Sequence, residues 1–151
     1  MTTTQTKAHN DMCKHVSDAV QASALVVLGA NMRIEWPDVT LSDVPSSTDY
    51  LARVSIQTVA RPQTTFSPCV ARAGNRRFTA KGILIVLFLG PRTDQMSGAK
   101  IRKLGQDLKV AHVRSQIDSV WLRNIVGVEL QPDAGFNRFR VVAEFNYDEI
   151  M

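Results

Sequence analysis

The sequence predicts an α+β fold: a single, mostly antiparallel sheet, two helices packed on one of its faces, and a long inter-strand loop. Three observations predict this class. An amphipathic helical pattern lies near the N-terminus, a second follows residue 94, and the runs of alternating strand residues have only one helix between them. With 151 residues, 44% hydrophobic and 21% charged, the chain has the size and composition of one globular domain, 1–151.

The N-terminal pattern predicts the first helix. Residues 1–10 are polar and Thr-rich, and we expect them to form a flexible arm. From residue 12 to Leu28 there is neither Gly nor Pro, and Met12, Val16 and Val20 recur at helical spacing. Gly29 stands where a C-terminal cap would end this helix.

Three strands are predicted next. A short one spans residues 32–36, and another, at 50–58, alternates between an apolar and a polar face. The third runs from about 76 to 89, and its second half is apolar at every position, so we expect it to lie centrally and to be covered on both faces. Residues 60–75 between the second and third strands have no period and form the long loop.

A second helix and a hairpin complete the prediction. The helix spans 94–112, with Gly105 marking close packing and a buried stripe of Ile101, Leu104, Leu108 and Ala111. The residues Gln131–Gly135 have turn chemistry and join two strands into a hairpin. One face of the first strand is predicted to hold Val120, Leu122, Val126, Val128 and Leu130, and one face of the second Phe139, Val141, Ala143, Phe145 and Tyr147.

The sequence gives no positive indication of an enzyme, and we expect no catalytic residue, cofactor or metal. His9 and Cys13 have a spacing that places two ligands on one helical face, but no third ligand lies near them in the sequence. Cys69 has no nucleophile signature around it. Asp148 and Glu149 are close to the C-terminus, and we expect them to be solvated. The longest apolar run has seven residues, too short to cross a bilayer, so we expect no membrane partner and a start in the cytoplasm.

The charge distribution is uneven. Between Asp49 and Asp94 there are seven Arg and Lys residues and no acid, so the rest of the chain carries 11 basic and 14 acidic residues. Solvated strand faces, a phosphate-binding patch, or a basic surface that meets an acidic neighbour would each explain this segment. Two complementary surfaces on one subunit make head-to-tail contacts, which close into rings or extend into filaments.

The 60–75 loop carries apolar as well as basic residues, a mixture that suits a protein interface better than a DNA groove. We predict that this loop, together with the flanking arginines and the C-terminal acids, contacts other protein subunits. These residues are Arg61, Phe66, Val70, Arg72, Arg76, Arg77, Asp148 and Glu149.

Four segments in order resemble a known family. They are Ile34-Glu35-Trp36-Pro37, Tyr50-Leu51-Ala52-Arg53-Val54, the Arg-rich strand that runs from Arg77 into the apolar stretch ending at Phe88, and the closing Phe145-Asn146-Tyr147-Asp148-Glu149. From about residue 12 to 149 the chain is similar to the tail terminator and tail completion proteins of long-tailed bacteriophages.

This resemblance implies a structural virion protein of the tail or neck that is assembled in the host cytoplasm. Its subunits would form a homo-oligomeric ring, a hexamer in the family, that caps the tail tube, stops its polymerisation and meets the head–tail connector or stopper protein. DNA would pass close to the ring in the lumen, and the family brings no catalytic residues. The alternatives are another neck or minor tail or baseplate protein (stopper or adaptor) and a DNA-binding module that uses the basic 50–93 segment.

Overall fold

The computed structural model describes residues 4–37, 49–60, 77–114, 117 and 119–150. These residues form two helices and one five-stranded mixed sheet, which is mostly antiparallel, so the predicted α+β class is confirmed. The strand order is β1-β2-β3-β5-β4, and only β1 and β2 pair in parallel. The elements in chain order are α1 (Gln5–Val27), β1 (Arg33–Glu35), β2 (Leu51–Ala60), β3 (Arg77–Pro91), α2 (Ser97–Val113), β4 (Trp121–Asp133) and β5 (Phe136–Ile150).

The hydrophobic core lies between the two helices and one face of the sheet. Because strand side chains alternate, β3 and β5 each send every second residue into it. The largest fully buried side chains include Tyr147, Phe88 and Phe145 from the sheet, and Met12 and Leu108 from the helices. Burial of these groups is the main favourable contribution to folding.

Helix α1 begins earlier than the sequence pattern predicts. Residues 5–10, predicted as part of a flexible arm, belong to the helix, so that prediction is wrong for them. The side chain of Thr4 accepts a hydrogen bond of 3.2 Å from the backbone N–H of Lys7 and caps the helix. The stripe of apolar residues also extends toward the N-terminus, because Ala8 is fully buried ahead of Met12. At the other end Gly29 follows the helix with φ of 74°, which fits the predicted cap.

Strand β3 occupies the middle of the sheet, as its apolar character predicts. Its core-facing residues Leu84, Val86 and Phe88 are fully buried. The alternate residues Ile83, Ile85 and Leu87 are only half-buried. The prediction of burial on both faces is therefore confirmed at the far end of the strand, from Phe88 to Pro91, and is wrong for Ile83, Ile85 and Leu87.

The predicted register of β4 is wrong because the strand contains a β-bulge. Asn124 has φ of 50°, and the pairing with β5 shifts by one residue between Arg123 and Val126. Asparagine tolerates this left-handed conformation better than most residues. Leu122 consequently faces the core, whereas Val126 and Val128 lie on the opposite face and are exposed. The single shared face predicted for Val120, Leu122, Val126, Val128 and Leu130 does not exist.

The predicted hairpin between β4 and β5 is present. Its two central residues, Ala134 and Gly135, both have positive φ, 50° and 81°, as a type I′ turn requires. The backbone N–H of Arg92 donates to the carbonyl oxygen of Gly135 at 2.9 Å and links the turn to the end of β3. Both strands extend further than the alternating pattern indicates, to 13 and 15 residues.

Close packing of α2 on the sheet depends on two glycines around Phe139. A Cβ atom on Gly105 of α2 would collide with the Phe139 ring, and one on Gly127 of β4 would lie 3.0 Å from its Cζ. The predicted role of Gly105 is therefore confirmed. Of the predicted stripe, Ile101, Leu104 and Leu108 are buried, but Ala111 is only half-buried and His112 takes the last core position.

Helices α1 and α2 are joined by polar contacts as well as by apolar packing. His15 and His112 stack with ring centroids 5.1 Å apart, and the Nε2 of His15 lies 2.9 Å from the Nδ1 of His112. Ser23 donates to Asp107 at 2.7 Å. Burial, helped by the charge of His15, lowers the pKa of His112 to about 3, and burial also lowers the pKa of His15. Both rings are therefore neutral in the folded protein at pH 7.

Substitution of the two α2 glycines should have opposite effects on stability. Gly105→Ala forces the helix away from Phe139, and we expect the free energy of unfolding to fall by about 1–3 kcal/mol. Gly98→Ala places its Cβ 3.8 Å from Asn137 Nδ2, an ordinary contact. We expect it to be neutral or to stabilise by up to about 1 kcal/mol through helix propensity. Urea unfolding followed by circular dichroism checks both, and equal effects would contradict the packing argument.

The buried histidine pair predicts a loss of stability in mild acid. The unfolded chain takes up protons below about pH 6.5, whereas the folded chain keeps His112 neutral down to about pH 3. The free energy of unfolding should therefore fall with decreasing pH, by up to about 1.4 kcal/mol per unit and per histidine. Urea unfolding between pH 7.5 and 5 measures the slope in a range where ordinary carboxylates stay ionised.

The variant His112→Gln should flatten that slope because it removes the buried titrating ring and keeps an amide near His15. Gln106→Asn, a substitution at an exposed position of α2 that removes no titratable group, is the control and should leave the slope unchanged. If His112→Gln keeps the wild-type pH dependence, the histidine pair is not its source.

Candidate assembly interface

The face of the sheet opposite the helices is the most extensive candidate functional surface among the described residues. We call it the open face. Register places on it the alternate residues of four strands. They are Arg53, Ser55 and Gln57 of β2, Ile83, Ile85 and Leu87 of β3, Arg138, Arg140, Val142 and Glu144 of β5, and Arg123, Val126, Val128 and Leu130 of β4.

The centre of the open face is apolar. The cross-strand pairs Ile85–Val142 and Val142–Val126 form a continuous aliphatic row over β3, β5 and β4. Val126 is 51% exposed, and Trp121, on the same side at the start of β4, is 48% exposed. A contiguous apolar patch with an aromatic residue at its border is characteristic of protein contact surfaces.

Charged residues surround and interrupt this apolar centre. Arg53 donates to Glu35 at 3.0 Å on the β1 side, and Arg123 lies 3.5 Å from Glu144 on the β4 side. Both pairs are exposed, so each contributes little to stability, but each neutralises a charge at the border of the patch. Arg140, between these pairs, forms no ion pair with any residue that the structure describes.

Most of the interface residues predicted from the sequence lie outside the described residues. This holds for Arg61, Phe66, Val70, Arg72 and Arg76, and for the whole 60–75 loop except Ala60 at the end of β2. Arg77 is the first residue of β3 and pairs with Ile150, but its side chain is not described. Their role in assembly stays a prediction.

Asp148 and Glu149 are placed differently from their prediction. They lie within β5 and are 6% and 8% exposed, so the prediction that they are solvated is wrong. The physical reason is that β5 continues to Ile150 and pairs with the start of β3 along its whole length. Thr79 donates to Asp148 at 2.8 Å. The Oε2 of Glu149 is buried and has no hydrogen-bond partner among the described residues.

A cluster of titratable residues joins the start of β2 to α2. Asp94 accepts hydrogen bonds from the Tyr50 hydroxyl at 2.6 Å, from Lys100 at 2.9 Å, and from the backbone N–H of Met96 at 3.0 Å. The hydrogen bond from Tyr50, followed by that from Lys100, lowers the pKa of Asp94 to about 2. Burial, followed by the hydrogen bond to Asp94, raises the pKa of Tyr50.

The hydrogen bonds of this cluster tie the start of β2 to the segment that leads into α2. An aspartate whose oxygens are occupied by three donors and whose pKa is low is a poor general base, and a tyrosine with a raised pKa stays protonated near pH 7. A depression of about 330 Å³ lies beside Tyr50 and Lys100 and is open to solvent. Sequence reasoning missed the cluster because its members are far apart in the chain and belong to no motif.

The predicted pair of ligand-type residues on α1 is close in space but incomplete. The Sγ of Cys13 lies 3.8 Å from the Nδ1 of His9. No group of three or more His, Cys, Asp or Glu side chains that could hold a metal ion occurs in the described part of the chain. No helix there is long and apolar enough to span a bilayer.

Sequence reasoning also missed Arg140 and the open face around it. The signal was present, because Arg138, Arg140 and Val142 alternate with the core residues of β5, and an aliphatic residue in the outward register is unusual for a solvated face. On β4 the outward aliphatic residues Val126 and Val128 could not be recognised from the sequence, because the bulge changes which residues face outward.

Comparisons with known proteins identify the fold and no family. No protein-family model matches the chain, and no curated protein matches it. Twenty chains among the solved structures match the fold. One of them, whose name describes no activity, covers 95% of this chain and is itself covered to 95%, with a TM-score of 0.64 and 14% sequence identity. At this identity the likeness concerns the arrangement of helices and strands alone.

Proposed function

We propose that this chain is a structural subunit of a bacteriophage tail. In this proposal its copies assemble into a ring on the end of the tail tube, stop polymerisation of the tube, and join the tail to the head connector. The observation that carries the proposal is the open face, whose apolar centre is left uncovered by both helices.

Assembly is the physical consequence of such a face. Contiguous apolar groups in water raise the free energy of the isolated subunit, and a neighbouring protein that covers them removes this cost. The outer surface of the helices differs from the open face in shape and charge. A contact between two different surfaces is head-to-tail, and it closes into a ring when the rotation per subunit divides a full turn.

The titratable groups support a non-enzymatic role. The Tyr50–Asp94–Lys100 cluster ties two elements together and uses its hydrogen-bonding groups in doing so. The order of four sequence segments, which resembles that of tail terminator proteins, supports the specific assignment to the tail. Of the seven basic residues in the 50–93 segment that the DNA-binding alternative would use, Arg53 is already paired with Glu35.

The proposal predicts a defect in tail length. Phage particles assembled without this chain should carry tails of variable and excessive length, because nothing caps the growing tube. Electron microscopy of negatively stained particles measures the length distribution, and supplying the wild-type chain from a plasmid should restore a narrow one. Tails of uniform, normal length in its absence would contradict the proposed function.

A further inference from the structure

Arg140 is the central charged residue of the open face. In the sheet it lies between Leu87 of β3 and Val128 of β4, so its side chain emerges among aliphatic neighbours. Its Nε is buried and has no hydrogen-bond partner among the described residues. A buried cationic donor without an acceptor is unfavourable, and a carboxylate is the group that satisfies a guanidinium best, through two parallel hydrogen bonds.

A complementary surface exists on the outer side of α1. Helical periodicity places Asp18, Ala22 and Leu25 on the side of the helix that points away from the buried residues Val16 and Val20. Asp18 and Ala22 are exposed, Leu25 is 56% exposed, and the adjacent Val26 is 83% exposed. Asp18 forms no ion pair with any described residue. We call Asp18, Ala22, Leu25 and Val26 the α1 stripe.

We infer that the α1 stripe of one subunit docks on the open face of the next copy of this chain, with the Asp18 carboxylate against the Arg140 guanidinium. This inference rests on the proposed ring function and names the contact that builds the ring. It gives the uncovered face of the sheet a second helical layer, the arrangement that buries a sheet with two apolar faces.

The spacing of the two surfaces agrees. Asp18 and Leu25 are seven residues apart, about 10 Å along the helix axis. On the open face, the row formed by Ile85 and Val142 lies two residues from the Arg140 row, about 7 Å along the strands. When Asp18 meets Arg140, Ala22, about 6 Å from Asp18 along the helix, therefore lies over this row, and Leu25 lies about 3 Å beyond it, on the side of Ile83. The two surfaces are different, so the contact is head-to-tail and leaves a free copy of each surface at the ends of an open chain.

Charge reversal tests the contact. We expect Arg140→Glu and Asp18→Arg each to weaken self-association of the purified full-length chain by about a hundredfold or more, because like charges would meet in a desolvated contact. Sedimentation velocity over a range of protein concentrations measures it. Leu25→Ser, at an exposed position where folding is unaffected, should weaken association by about tenfold. Arg92→Glu, and Glu129→Arg on the helix side of β4, are charge reversals at exposed sites off both surfaces and should have no effect.

Mixing the two reversal variants separates this contact from general effects on folding. The open face of the Arg140→Glu variant, now acidic at its centre, complements the α1 stripe of the Asp18→Arg variant, now basic. The unchanged Asp18 of the first variant likewise complements the unchanged Arg140 of the second. An equimolar mixture should therefore form assemblies in which the two variants alternate and are present in equal numbers, visible by native mass spectrometry, whereas each variant alone should stay dissociated. The double variant carrying both reversals should assemble as the wild type does.

The outcomes distinguish the inference from the proposed function. Wild-type assembly that both single reversals leave intact, or a mixture that stays monomeric, would overturn the Asp18–Arg140 contact while the ring function stands. A wild-type chain that remains monomeric at about 1 mM would also overturn the contact, and uniform tail length without the chain would overturn the function itself.

Discussion

The fit of the Phe139 ring between Gly105 and Gly127 is the constraint on which the rest of this structure depends. It allows α2 to approach the β4–β5 half of the sheet closely, and α2 in turn holds α1 through His112 and Asp107. Both helices are thereby kept on one side. Among the described residues no helix packs on the opposite side of the same strands, and its half-buried and exposed aliphatic side chains form the open face.

The charges of the molecule act locally. The basic 50–93 segment suggests a subunit with two oppositely charged halves, but the described ion pairs join residues that are neighbours in space, such as Arg53 with Glu35. Exposed pairs of this kind contribute little to stability and largely cancel at a distance. Arg140 of the open face, by contrast, lies among aliphatic side chains, where water screens its charge least.

Sequence reasoning is successful where periodicity is unbroken and fails where one residue changes the local geometry. The alternation in β5 and the spacing in α2 are enough to predict their core residues, because a packed face must be apolar. The bulge at Asn124 contains a single left-handed residue and reverses the faces of the β4 residues from Val126 to Leu130, and no count of alternating residues detects it. Thr4 caps α1 and lets the helix begin at residue 5, whereas the polar composition of the first ten residues suggests a flexible arm. For Asp148 and Glu149, nearness to the chain end suggests exposure, whereas strand pairing with β3 buries them. The surroundings of Arg140 can be predicted only when the strand register is known, because its neighbours belong to β3 and β4.

The bulge in β4 has a further consequence for how copies of this chain can meet. β4 is the last strand of the sheet, and an uninterrupted outer strand with exposed valines would offer its backbone to another sheet and invite uncontrolled fibrous aggregation. The irregular backbone around Asn124 breaks the line of hydrogen-bonding groups at mid-strand, and Pro132 removes a donor near its end. Both features discourage growth by strand addition at β4, so contacts at this edge of the sheet are left to side chains.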